Sequence, residues 1–137
     1  METLVNDKYN EIFFDKELSF HYNINKASTL YMNEHQFREL LLKWKASVFE
    51  IKPRLILVDN REFNFPISPD LQLWMVENIS TPVLEMPGVE KFCFVVPEEL
   101  ISKLSITQLT DEANEKTTKN EIRYFGSLEE AKLWLGV

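Results

Sequence analysis

Glycine is scarce in this chain, 3 in 137 residues, so glycine-rich phosphate loops have almost no raw material. Cysteine is scarcer. Cys93 stands alone, which excludes an intramolecular disulfide and makes a reducing cytoplasm the expected setting. Long apolar runs are missing as well: none approaches the roughly 20 residues that a membrane helix needs. The opening Met1-Glu-Thr-Leu-Val-Asn-Asp7 has no basic region followed by an apolar stretch, so neither a signal peptide nor membrane insertion is expected. Positive charge is short too. Lys and Arg number 15 against 22 Asp and Glu, for a formal net charge of −7, with no basic cluster. That disfavours nucleic acid and anionic membrane surfaces as partners.

What is present reads as an ordinary globular domain. Hydrophobic residues make up 45% and charged residues 27%, which argues against disorder. The length suits a single domain spanning residues 1–137, with no linker, repeat or low-complexity segment. The chain is organised around Pro53-Arg54-Leu55-Ile56-Leu57-Val58-Asp59-Asn60-Arg61. Leu55 to Val58 is a short unbroken apolar run, as expected of a parallel strand buried on both faces.

Around it, residues 8 to 24 read as a hairpin. Tyr9 to Phe14 is aromatic and β-branched, Asp15-Lys16-Glu17 breaks it, and Leu18, Phe20, Tyr22 and Ile24 then alternate with Ser19, His21 and Asn23. That alternation predicts one buried and one wet face. Asn33, with Gln36 placed for a capping box, predicts a helix whose stripe is Phe37, Leu40, Leu41, Trp44 and Val48, stopped by Pro53. Glu39 and Lys43 are spaced for an ion pair on its polar side. Ser68-Pro69-Asp70 starts a second helix with Leu71, Trp74, Met75 and Ile79. Thr81 to Gly88, with two prolines, reads as irregular. Lys91 to Val96 is the second apolar strand, and Pro97-Glu98-Glu99 opens a third helix with Leu100, Ile101 and Leu104. Thr110 to Glu121 is polar, Ile122 to Phe125 a last strand, and Ser127-Leu-Glu-Glu130 a capping box for a helix closed by Gly136. The expected fold class is therefore α/β: one mixed, mostly parallel sheet of about five strands, with an N-terminal hairpin and about four helices.

The hairpin, the helix with Phe37 and Trp44, Arg54-Leu-Ile-Leu-Val-Asp59-Asn-Arg61, Phe92 to Val96, and the closing Tyr124-Phe125-Gly-Ser-Leu-Glu-Glu-Ala131-Lys-Leu-Trp134-Leu135 resemble the SpoIIAA-like proteins. These are related to the anti-sigma factor antagonist (STAS) domains. The resemblance covers nearly the whole chain, and its motifs are structural. It implies a small cytoplasmic α/β domain that acts by contact with another protein, often without catalysis. Some relatives share the architecture of lipid-carrying Sec14-like domains and hold an apolar ligand. In the antagonists a serine after the central strand is phosphorylated to switch partner binding. Here that neighbourhood is Asp59-Asn60-Arg61-Glu62, and the first serine downstream is Ser68, so the phospho-switch is not carried over.

Asp59, Asn60 and Arg61 are the leading candidates for contacting a partner or ligand, because open α/β sheets place their sites at the C-terminal mouth of the strands. The competing role is local: Asp and Asn satisfying loop N–H groups and Arg61 pairing with an acid. Phe63, Phe65 and Trp74, with Met75 nearby, either rim a pocket for a small apolar ligand or anchor their loop on the core. Cys93, flanked by apolar strand residues, reads as core. His21 and His35 read as solvated, and no metal spacing is visible. Neighbouring acids such as Glu98-Glu99 and Glu129-Glu130 fall in helix first turns, where the dipole explains them. No catalytic motif stands out, so no enzyme and no cofactor are expected. The function expected is a protein-interaction or regulatory module, with a carrier or sensor of a small apolar, lipid-like ligand as the alternative. Should Ile106 and Leu109 be exposed, a symmetric homodimer is the expected cover for them.

Overall fold

The structure, a computed structural model, describes residues 1–100 and 122–137. Six strands form one sheet in sequential order: β1 (Glu2–Asn6), β2 (Asn10–Asp15), β3 (Phe20–Asn25), β4 (Leu55–Asp59), β5 (Lys91–Val95) and β6 (Ile122–Phe125). β1 to β3 pair antiparallel, and β3 to β6 run parallel. The fold is therefore the expected α/β class with a hairpin leading a parallel sheet. The sixth strand is β1, from the Thr3-Leu4-Val5 stretch. It pairs on one side only and its register slips between Thr3 and Val5, so it forms an edge. The expected residues of the third helix beyond Leu100, the polar stretch 110–121 and the homodimer candidates Ile106 and Leu109 lie outside the described residues.

Helix α1 (Glu34–Ile51) begins with the expected capping box: Gln36 N–H donates to Asn33 Oδ1 at 2.8 Å, and Asn33 N–H donates to Gln36 Oε1 at 2.9 Å. Its Glu39 pairs with His35 at 3.0 Å rather than with Lys43. Helix α2 (Pro69–Met75) is capped by Ser68, whose Oγ accepts from Leu71 N–H. The residues after it correct part of the expected irregular stretch: Thr81–Leu84 is helical, while residues 85–88 form turns and a bend as expected. A π turn (Val76–Ser80) continues straight into α3 (Thr81–Leu84). Pro82 sits near the start of α3, and the wider π turn ahead of it makes room for the ring. Helix α4 (Leu128–Leu135) shows the Ser127 half of its capping box, with Glu130 N–H donating to Ser127 Oγ. It ends at Gly136 in the left-handed region, φ +81°, a conformation that glycine adopts without a Cβ penalty.

The helices pack on opposite faces. Trp44 and Val48 of α1, Ile79 of the π turn and Val83 of α3 meet Ile12, Ile56, Val58 and Phe92 on one face. Ala131 and Leu135 of α4 meet Phe20, Tyr22, Leu55, Leu57, Cys93 and Val95 on the other. β4 is buried throughout, as its unbroken apolar run predicts.

That layering overturns the wet face expected of β3. His21, Asn23 and Asn25 are all buried, His21 completely. The reason is that β3 is an interior strand: β2 flanks it on one side, β4 on the other, and its polar-looking face lies toward α1. Alternation in the sequence cannot tell a wet face from one covered by a helix.

Candidate functional site

The C-terminal end of β4 places Asp59 in register with Ile24 of β3, which is itself paired with Glu11 of β2. Glu11, Ile24 and Asp59 thus form one cross-strand row, with Phe13, Tyr22 and Leu57 in the row beside it. Because strand side chains alternate, both rows point to the α4 side of the sheet. Asp59 is 3% exposed, and its carboxylate is held by its own loop. Arg61 folds back on it, Nε donating to Oδ1 at 3.0 Å and Nη2 to Oδ2 at 2.8 Å, while the Arg61 backbone N–H donates to Oδ1 at 3.1 Å. The local role weighed from the sequence is therefore the one that Asp59 fulfils.

This fork has an open side. The Arg61 side chain is 46% exposed, and its Nη1 has no partner among the described residues. Hydrogen bonding to Asp59 raises the Arg61 pKa, so the guanidinium is a permanent cation in a fixed orientation. Burial, and then the charge of Asp59, raise the Tyr22 pKa, so the phenol stays protonated and able to donate. Tyr22, Ile24, Asn25, Asp59, Arg61 and Glu62 line a surface depression of about 320 Å³. Tyr22, Ile24, Asn25 and Glu62 were not among the sequence candidates. The signal that would have found the first three is that β3 runs parallel beside β4, which no single-sequence pattern displays.

Asn60 does something else. Its Oδ1 accepts from Asn25 Nδ2 at 2.7 Å. Asn25 Oδ1 in turn accepts from Asn23 Nδ2 at 3.4 Å, and Asn23 Oδ1 from Asn10 Nδ2 at 3.3 Å. Four asparagine amides thus form a row through the interior, from β2 to the mouth of β4. Each buried amide on it finds a partner, which is the condition for tolerating polar groups there.

The loop after Asn60 is tied down rather than poised over a cavity. Phe63 and Phe65 both pack on Phe37 of α1, with ring centroids 5.6 and 4.6 Å away. Asn64 N–H donates to the buried Thr29 hydroxyl at 3.0 Å. Trp74 packs against the α1-side core, with the Arg38 guanidinium 4.5 Å from its ring centre. Phe63, Phe65 and Trp74 therefore act as anchors, and they do not line the Arg61 depression.

Cys93 and His21 are both sequestered in the core. Cys93 is fully buried in β5, and burial pushes its thiol up to about 12, far from a reactive thiolate. His21 shares a hydrogen bond with Ser47 through Nε2 at 3.0 Å, and burial pushes its pKa down to about 4, so it is neutral at pH 7. His35, expected on the surface, has a side chain 80% exposed. Among the described residues no cluster of His, Cys, Asp and Glu is placed to hold a metal, and no helix is long and apolar enough to cross a membrane. Comparison with protein-family models, curated proteins and solved structures finds no match for this chain.

Proposed function

We propose that this chain is a non-enzymatic protein-interaction or regulatory module of the SpoIIAA-like type, working in the cytoplasm without a serine phospho-switch. The observation that carries the reading is the Asp59–Arg61 fork. The acid that catalysis would need is buried and has both oxygens bonded, while the arginine it holds presents its other edge outward. Half-buried Ile24 stands beside it in the same cross-strand row, and half-buried Phe13 lies further along the same sheet face. An oriented Arg beside aromatic and aliphatic surface is the composition that protein interfaces favour. The strictly sequential strand order adds a second support. Sequential order has no reversal point, and reversal is what opens the crevice where α/β enzymes hold cofactors.

Native mass spectrometry of the purified chain, beside its denatured mass, tests the reading. The expected result is the mass of the polypeptide, alone or with a second protein bound, and with no small molecule retained. Extra mass below about 1 kDa that is lost on denaturation would replace this reading with that of an apolar-ligand carrier, since apolar cargo buried over most of its surface survives purification. Turnover of any substrate that disappears in Asp59→Asn or Arg61→Ala would also overturn it.

A further inference from the structure

A second depression, about 290 Å³, lies between the β1–β2 turn and α1, on the sheet face opposite Asp59. Its floor includes the apolar side chains of Val5, Ile12, Met32 and Leu40. Its rim holds Asp7, Glu39, Lys8 and Lys43, two charges of each sign, so the local field selects neither anion nor cation. The wall is stiff, because Tyr9 N–H and Asn10 N–H both donate to Asp7 Oδ1, at 2.9 and 3.0 Å.

One polar group comes to this depression from the interior. Asn10 lines it and is only 4% exposed. Its Nδ2 is committed to Asn23, while its Oδ1 accepts no hydrogen bond from any described residue. Asn10 also heads the amide row, in which each side chain donates to the next, in the direction of Asn60. Hydrogen bonds in such rows polarise one another, so an amide that donates its N–H becomes a better acceptor at its own oxygen. A largely buried amide whose oxygen has no partner among the described residues and still reaches the depression can receive a donor there.

We infer that this depression binds a small neutral molecule carrying one N–H or O–H donor. The donor pairs with Asn10 Oδ1, and the apolar body rests on Val5, Ile12 and Leu40. The volume sits at the small end of ligand pockets, roughly 300–1,000 Å³. It therefore suits a body of one ring or two fused rings. The site is separate from the Arg61 surface and does not depend on the function proposed for it.

Indole and benzofuran make a matched pair of probes, alike in shape but differing in the N–H donor. Both are titrated into the labelled full chain and followed by NMR at the Asn10 side-chain amide and the Ile12 and Val5 methyls. Indole should shift these signals saturably, with benzofuran binding about tenfold more weakly for lack of the hydrogen bond. Val5→Trp, on the half-buried edge strand, should fill the depression and abolish the indole shifts while the rest of the spectrum stays folded. Equal affinities for the two probes would reduce the site to apolar adhesion and overturn the inference. So would indole shifts that survive in folded Val5→Trp, or the absence of saturable shifts at Asn10 and Ile12 up to the solubility limit of indole. A ligand held this weakly is lost on purification, so the native mass result and this one fail separately.

Discussion

Acid should act on this protein through His21. It lies on β3 in register with Phe14 on one side and Ile56 on the other, and beneath Trp44 and Ser47 of α1. Burial lowers its pKa from 6.5 to about 4. The sign follows from linkage. Between those values the unfolded chain binds a proton that the folded chain refuses, so stability falls as the pH drops from 6.5 toward 4 and does not change through this group above 6.5. At 1.36 kcal/mol per pKa unit the whole step is worth about 3 kcal/mol, of which about 2 kcal/mol is lost between pH 7 and pH 4.5. His21→Leu removes the titration. At pH 7 it should change stability by no more than about 1 kcal/mol, because it exchanges one hydrogen bond for the relief of a buried Nδ1 that has no partner among the described residues. Urea unfolding of both proteins at pH 7.0 and 4.5 gives the double difference, in which the surface carboxylates cancel. The variant should lose about 2 kcal/mol less than the parent. Parallel losses would refute the reasoning and move the acid sensitivity elsewhere.

Three further outcomes are expected. Asn23→Leu breaks the amide row in the middle, leaving Asn10 Nδ2 and Asn25 Oδ1 without partners; chemical denaturation should show a loss of about 2–4 kcal/mol, where a solvated asparagine would show almost none. Phe65→Ala removes the ring stacked on Phe37. It should cost about 1–2 kcal/mol for this half-buried side chain, and proteolysis should then cut first within residues 61–67, which an unanchored loop would allow in the parent as well. Cys93, buried with its thiol pushed up to about 12, should react with a thiol reagent at pH 8 only as fast as the chain unfolds, so its labelling should follow the denaturation curve; prompt labelling of the native protein would place the thiol at the surface.

Much of this was legible in the residues alone. Leu55 to Val58 is apolar on both parities, and only a strand covered on both faces tolerates that, so β4 and its position followed directly. Asn33 with Gln36, Ser68 with Pro69, and Gly136 marked helix ends because the orphan N–H and C=O groups there have few chemical solutions. The Asp59–Arg61 pairing was also foreseeable, as a contact between residues two apart. β1 was missed because three β-forming residues at a terminus give too short a pattern to read. The helical run through Pro82 is not legible in the residues, because a proline reads as a break, whereas near the start of α3 it fits behind the π turn.

The sequence by itself thus determined what depends on near neighbours: the central strand, the capped helix ends and the α/β class. Tertiary structure decided what depends on which element covers which face. His21 and Asn23 carry the same alternation whether water or α1 lies above them, and only the packing of α1 on the sheet made them interior. The four-amide row and the two depressions need β2, β3 and β4 side by side in register. Such juxtapositions join residues as many as 35 apart in the chain, as Asn25 and Asn60 are, and no local periodicity records them.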